Sequence, residues 1–180
     1  MSKLSQIGHK IQKRTKGNDV FITPLELAKK HIDMIDYVDG EKWLDTSKNS
    51  GSYYNQFPTD NKDYCGILEG KDFFEYTGKV DIICENPPYS VLDNWFKKVI
   101  ELQPRVYSCL IGMINLTPRR ISWFNDAGYG LKKLRIVRIY EWFGRSYICV
   151  FEKGATNCID YDTQVFHSTD ICKNKKKKKI

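Results

Sequence analysis

The residues with the most chemical promise stand together at positions 86 to 89. The run Val80-Asp81-Ile82-Ile83-Cys84 is short, apolar and rich in β-branched side chains. It continues through Glu85 into Asn86-Pro87-Pro88-Tyr89-Ser90. Two adjacent prolines remove two backbone donors and fix two φ angles, and the residue before each is pushed away from helix. The result is a stiff spout with a side-chain amide on one side and an aromatic ring on the other. Such a group suits one problem well. The exocyclic nitrogen of adenine is conjugated into its ring, so its lone pair is a poor nucleophile. A site that accepts both of its N–H bonds favours a more tetrahedral nitrogen with a free lone pair. Asn86 offers a side-chain carbonyl, Pro87 a rigid backbone carbonyl, and Tyr89 a flat face on which an extruded base can stack. Pro88 keeps the turn stiff. This is catalysis by positioning and electrostatics, and it needs no metal.

A second strand end carries Leu44-Asp45-Thr46-Ser47-Lys48-Asn49-Ser50-Gly51. Here a carboxylate is followed by a loop of small polar residues, which lets backbone approach a ligand closely. The same residues also make an ordinary helix cap or turn. Open α/β sheets bind ligands at the carboxyl ends of their strands, near a topological switch point. Two strand ends in this chain carry unusual residues of this kind.

Several stretches, in order, resemble the S-adenosylmethionine-dependent N6-adenine DNA methyltransferases, and in particular the small single-domain type of phages and large DNA viruses. NDVFITPLELAKKHID resembles the motif that packs on the methionine part of the cofactor, WLDTSKNSGSYYNQFP the first cofactor loop, CGILEGKDFF the stretch that holds ribose and adenine, and DIICENPPYS the catalytic motif. The likeness spans roughly residues 18–153. It implies a Rossmann-like class I methyltransferase fold and S-adenosylmethionine as cofactor. It also implies cofactor contacts from Phe21, Thr23, Pro24, Asp45, Gly51, Asp72 and Phe73, and acceptor contacts from Asn86, Pro87, Pro88 and Tyr89. DNA is the implied partner, with RNA adenine or a protein glutamine amide as alternative acceptors. A catalytically degenerate nucleic-acid-binding subunit is a further alternative. Thr46 stands where the family has proline and Asn49 where it has glycine. Gly66 stands where it has the acid that holds the ribose hydroxyls, a role for which Glu69 is the nearest substitute.

The elements that must position these residues follow from periodicity. Thr23 as N-cap and Pro24 at the first helical position predict a helix closed by Gly40. EKWLD (41–45), Cys65 to Glu69 and Val80 to Cys84 predict strands. VLDNWFKKVIEL (91–102) is an amphipathic helix. VYSCLIGMI (106–114) is a buried strand, and TPRRISWFNDAG (117–128) is a helix capped by Thr117. LRIVRIYEWF (134–143) and SYICVFEK (146–153) predict an antiparallel hairpin turning at Gly144-Arg145. Alternating strands and helices closed by a hairpin predict an α/β fold: a mostly parallel twisted sheet with helices on both faces and a C-terminal antiparallel hairpin. Only 41 positions separate Asp45 from Asn86, which predicts that one intervening helix or strand is reduced to a loop.

Length and composition bound the remainder. The 180 residues with 41% hydrophobic content suit one domain. The expected division is a basic arm at 1–20, a methyltransferase domain at 21–160 and a lysine-rich tail at 161–180. The formal charge is +7, of which Lys173 and Lys175 to Lys179 supply six. The tail is either a solubilising segment or a non-specific phosphate contact or import signal. Six cysteines without paired spacing read as reduced, buried thiols. No run is long enough to span a bilayer and no secretion signal is visible, so an intracellular, soluble protein is expected, in a host cell if a virus encodes it. No separate target-recognition domain is expected. Sequence preference then comes from loops, the basic arms, or a partner subunit or second copy. Arg119 and Arg120 at the start of a helix either meet phosphates or are solvated. Trp142 and Phe143 either pack beneath the hairpin or wedge into nucleic acid.

Overall fold

A computed structural model describes residues 21–142 and 144–165. One six-stranded sheet forms the centre. Its strands are β1 (Trp43–Asp45), β2 (Lys62–Tyr64), β3 (Ile82–Glu85), β4 (Val106–Gly112), β5 (Tyr129–Val137) and β6 (Ser146–Lys153), in the order β2-β1-β3-β4-β6-β5. The first four are parallel. β6 lies antiparallel between β4 and β5. Helix α1 (Leu25–Ile32) covers one face, and α2 (Leu92–Leu102) and α3 (Pro118–Asp126) cover the other.

Alternation along each strand divides the core in two. Leu44, Ile83, Tyr107 and Phe151 face α2 and α3, where the Phe124 and Phe151 rings stack at 4.2 Å. Trp43, Ile82, Cys84 and Leu110 face Ala28 and Ile32 of α1. Cys65, Cys84, Cys109 and Cys149 are buried and unpaired, filling space as small apolar groups. Thr117 caps α3 by accepting from Arg120 N, with Pro118 at the first turn.

Five details depart from the sequence expectations. Helix α1 stops at Ile32 rather than running to Gly40. Thr23 does not cap it: Pro24 holds the cap position with no side-chain hydrogen bond. Asp33, at the C-cap, sets a carboxylate against the negative end of the helix dipole. Beyond Ile32, Lys133 Nζ captures the Met34 carbonyl at 2.9 Å, and Arg105 Nη2 the Asp36 carbonyl at 2.9 Å, drawing the chain off the helical path. The second strand lies at Lys62–Tyr64, ahead of the apolar run expected to form it. That run turns at Gly66 and Gly70, leaving Ile67 and Leu68 exposed.

The reduction between β1 and β3 goes further than one element. Only the three-residue β2 and single 3₁₀ turns at Tyr54–Gln56, Ile67–Glu69 and Phe73–Glu75 occupy that interval. The last hairpin turns through eight residues, 138–145, instead of two. β5 begins at Tyr129, carries a bulge between Leu131 and Lys133, and leaves the ladder at Val137. Ile139 and Trp142 then fold toward the α1-side core. The arm at 1–20, Phe143 and the tail beyond residue 165 lie outside the described residues. Packing continues past β6 at least to Tyr161, whose hydroxyl donates to Asn125 Oδ1 at 2.6 Å.

Candidate active site

In the order β2-β1-β3-β4, the chain steps outward from β1 to β2 and then returns to the other side of β1 with β3. The switch point therefore lies between β1 and β3, at whose carboxyl ends sheets of this kind form their ligand crevice. Both strand ends singled out from sequence arrive at this crevice.

They are clasped beneath it. Glu85, the last residue of β3, is fully buried. Its carboxylate accepts from the Thr46 hydroxyl, from Trp95 Nε1 at 2.8 Å and from the Tyr107 hydroxyl at 3.0 Å. Burial pushes Glu85 up to about 7, against the pull of those three donors. Asp45 is also buried. One of its oxygens accepts from Ser47 N at 3.1 Å and the other from Tyr54 N at 3.2 Å, so it organises the loop from below. Burial raises it to about 7 as well. Above this layer Ser47 Oγ donates to the Asn86 carbonyl at 2.8 Å, tying the cofactor-type loop directly to the proline motif.

The loop makes its turn with the residues available. Asn49 adopts a positive φ of 44° and Gly51 one of 83°. Asn tolerates this region better than most residues, so the glycine-to-Asn departure leaves the turn intact. A side chain at Gly51 would lie 2.6 Å from the Asn55 amide.

Gly66 lacks the expected acid, but the space is filled. Gly66 N donates to the Lys71 carbonyl at 2.8 Å and Lys71 N to the Gly66 carbonyl at 3.0 Å, pinching the chain into a short loop. The loop folds Glu69 back over Gly66, so that a Cβ built there would run into Glu69 Oε2. Lys48 of the first loop stands 3.9 Å from the same carboxylate.

At the proline motif, Asn86 Nδ2 donates to the Phe21 carbonyl at 3.1 Å. That contact fixes the amide. Asn86 Oδ1 is buried and has no hydrogen-bond partner among the described residues. A buried acceptor left unmet costs about 1–3 kcal/mol, so the site keeps an unmet demand for an N–H group. Pro87 is buried and Pro88 half-buried. The Tyr89 ring lies 6.2 Å from the Phe21 ring at 23°, and Phe21 meets Trp142 edge-on at 5.4 Å.

The other expected contacts separate. Thr23 is buried and hydrogen-bonded to Tyr53, while Pro24 is exposed. Tyr53 also bonds His31 Nδ1 at 2.9 Å, and His31 Nε2 bonds Ser108 Oγ at 2.6 Å. This buried relay braces the first loop from the α1 side. Burial and the charge of Arg135 push His31 down to about 3, so it is neutral. Asp72 accepts from Phe74 N, and Phe73 is buried with its ring 4.5 Å from that of Trp95. Arg120 is bound by Asp93 and by the Asn115 carbonyl, whereas Arg119 is exposed. A shallow depression of about 390 Å³ is lined by Phe74, Asn94, Lys97, Lys98 and Glu101, with Phe74 adjoining Asp72 and Trp95.

Of the clasp, Thr46 was noted from sequence only as a departure from the resemblance, while Ser47 and Glu85 and the brace of His31 and Tyr53 were not singled out. Glu85 left a trace there as a charge at the end of an apolar strand.

No protein-family profile matches the chain, and no curated protein matches it by sequence. Solved structures do resemble it in fold. One is a Pyrococcus horikoshii protein considered an RNA methyltransferase, at TM-score 0.57 and 15% identity over 74% of this chain and 87% of that one. Another is the Mtq2–Trm112 complex of E. cuniculi, responsible for methylation of the translation termination factor eRF1. It matches at TM-score 0.54 and 13% identity over 77% of this chain and 100% of that one. A third is M. capricolum TrmK in complex with S-adenosyl-homocysteine, at TM-score 0.50 and 11% identity over 74% and 71%. These likenesses establish the Rossmann-like, mostly parallel sheet with its antiparallel C-terminal pair.

Proposed function

We propose that the chain transfers a methyl group from S-adenosylmethionine to the N6 amine of adenine in DNA. The observation that carries this reading is Asn86 Oδ1: a buried acceptor without a partner among the described residues, at the switch point of a sheet whose structural relatives include methyltransferases. S-adenosylmethionine supplies an electrophilic methyl group. Everything else the reaction needs is positioning.

The residues present fit such a cofactor. The Asn49–Gly51 turn brings bare backbone to the crevice, and Asp45 beneath it holds the turn by its amides. Glu69, folded over Gly66, presents a half-exposed carboxylate suited to a ribose diol in place of the missing acid. Phe21, Thr23 and Pro24 border the methionine end, and Asp72 with Phe73 the adenine end.

On the acceptor side, Asn86 Oδ1 takes one N–H of the adenine amine and the Pro87 carbonyl takes the other. These bonds withdraw the nitrogen from conjugation and aim its lone pair. The Ser47 bond to the Asn86 carbonyl and the Phe21 bond to Asn86 Nδ2 restrict the amide to one orientation. Tyr89 provides the stacking face, and Phe21 beside it narrows the slot for the base. The proton released from the methylated nitrogen passes to water.

The test is transfer of labelled methyl to unmethylated DNA, with RNA and a glutamine peptide run alongside. Asn86→Ala removes an acceptor used only by the amine. It is expected to lower transfer by a factor of 100 or more, with donor binding by calorimetry preserved. No donor binding at millimolar concentration sinks the enzyme reading. Full activity in Asn86→Ala sinks the assigned role, and transfer confined to RNA or peptide replaces DNA as the acceptor.

A further inference from the structure

The basic side chains of this molecule divide by whether their charges already have partners. Lys48 and Lys71 lie over the Tyr64 ring at 3.9 and 4.0 Å and face Glu69 and Asp63. Lys132, Lys133 and Arg105 share Asp36, Glu41 and Glu152. Arg120 belongs to Asp93. Among the arginines, Arg119, Arg135, Arg138 and Arg145 differ: all four are exposed, and among the described residues none forms an ion pair. Arg119 rests only over the Trp123 ring, 5.0 Å away.

Two of these arginines bracket the loop 138–145, whose middle holds Tyr140 with 89% of its surface in water. A ring that open serves no packing. Glu141 is the single acid of the loop, so positive charge prevails there. Exposed arginines on either side of an open aromatic ring along the turn match a polynucleotide strand, with phosphates for the charges and a base face for the ring.

The loop is also continuous with the crevice. Met113 N, just past the end of β4, donates to the Arg145 carbonyl at 3.0 Å. Trp142 touches Phe21, and Phe21 in turn borders Tyr89 and Asn86. A strand lying on the loop therefore passes close to the unmet acceptor at Asn86.

We propose that Arg138, Tyr140 and Arg145, in the turn between β5 and β6, form the docking surface for a polynucleotide strand: an unpaired base stacks on Tyr140, and phosphates meet Arg138 and Arg145. The proposal rests on the reading of a nucleic acid as the methyl acceptor, and it adds where the strand lies and that it is unpaired there. Paired bases hide their faces in the stack, whereas a base on Tyr140 needs a free one.

Fluorescence anisotropy of a labelled, mixed-sequence single-stranded 16-mer with the full chain tests it, without methyl donor and across a range of salt. Tyr140→Ala is expected to weaken binding about fivefold or more, and Tyr140→Phe to leave it unchanged. The double variant Arg138→Ala/Arg145→Ala is expected to lower the slope of log affinity against log salt by about 1.4, roughly 0.7 per lost phosphate contact on a single strand. Lys79→Ala, exposed on the segment leading into β3, is the control. Loop variants that bind like wild type, losses matched by Lys79→Ala, or a wild type that ignores the oligonucleotide at low salt would each overturn the proposal. Methyl transfer measured in parallel keeps the two readings apart. If wild type methylates DNA and the loop variants bind it normally, the docking surface is wrong and the activity stands. If the loop variants lose binding in a chain that transfers no methyl, the docking surface stands and the activity falls.

Discussion

Acid should cost this protein stability through one side chain above others, His31. The ring is wholly buried, with Nδ1 against the Tyr53 hydroxyl and Nε2 against the Ser108 hydroxyl. It titrates near 3 in the folded chain, against 6.5 ordinarily, because burial and the Arg135 charge oppose its protonation. The folded state thus binds fewer protons than the unfolded state between those values. Stability that His31 contributes above pH 6.5 is lost as pH falls toward 3. At about 1.36 kcal/mol per pH unit, the loss between pH 7.5 and pH 5 is about 2 kcal/mol. Asp45 and Glu85 act in the opposite sense. Their folded values of about 7 lie above ordinary carboxylate values, so their ionisation destabilises the fold as pH rises from about 4 to 7. A simple pH profile of wild type therefore mixes both effects. His31→Gln separates them, since the carboxylates cancel in the comparison. The variant should be less stable than wild type at pH 7.5, and the gap should shrink by about 2 kcal/mol at pH 5. Urea denaturation followed by tryptophan fluorescence at the two pH values measures the gap. A gap that stays constant within about 0.5 kcal/mol would refute the assignment of His31 as a neutral strut.

Two other substitutions probe the crevice. Gly51→Ala places a Cβ at a φ of 83° and against the Asn55 amide, so it should cost about 1 kcal/mol or more in urea unfolding and weaken donor binding by calorimetry. Glu69→Ala should weaken the donor about tenfold, the loss of one charge-assisted hydrogen bond, while leaving the melting temperature within about a degree or two; unchanged affinity would place the ribose elsewhere.

Much of the frame was legible in the residues. The apolar runs of β3 and β4, the capped helix α3 and the amphipathic α2 carry local signals that packing had no reason to override. What those signals missed has one physical character. The end of α1 depends on Lys133 and Arg105, which are about a hundred and about seventy positions away. The place of β2 depends on pairing Trp43 with Lys62, not on the apolar residues that follow it. The long turn after β5 depends on Trp142 finding Phe21.

The same division holds at the site. Sequence by itself determined that Asn86, two prolines and Tyr89 would end a buried strand, because proline geometry and strand periodicity are properties of neighbouring residues. It also determined that a turn-forming loop would follow Asp45. Only the tertiary structure decided that the two would be clasped through Thr46, Glu85 and Ser47, that Glu69 would cover the gap left at Gly66, and that Asn86 Oδ1 would be buried unmet. Each of these is a contact between residues brought together by strand order and register, and chemical identity along the chain does not encode such neighbours one by one. Whether a buried polar atom finds a partner is settled only when everything around it has been placed.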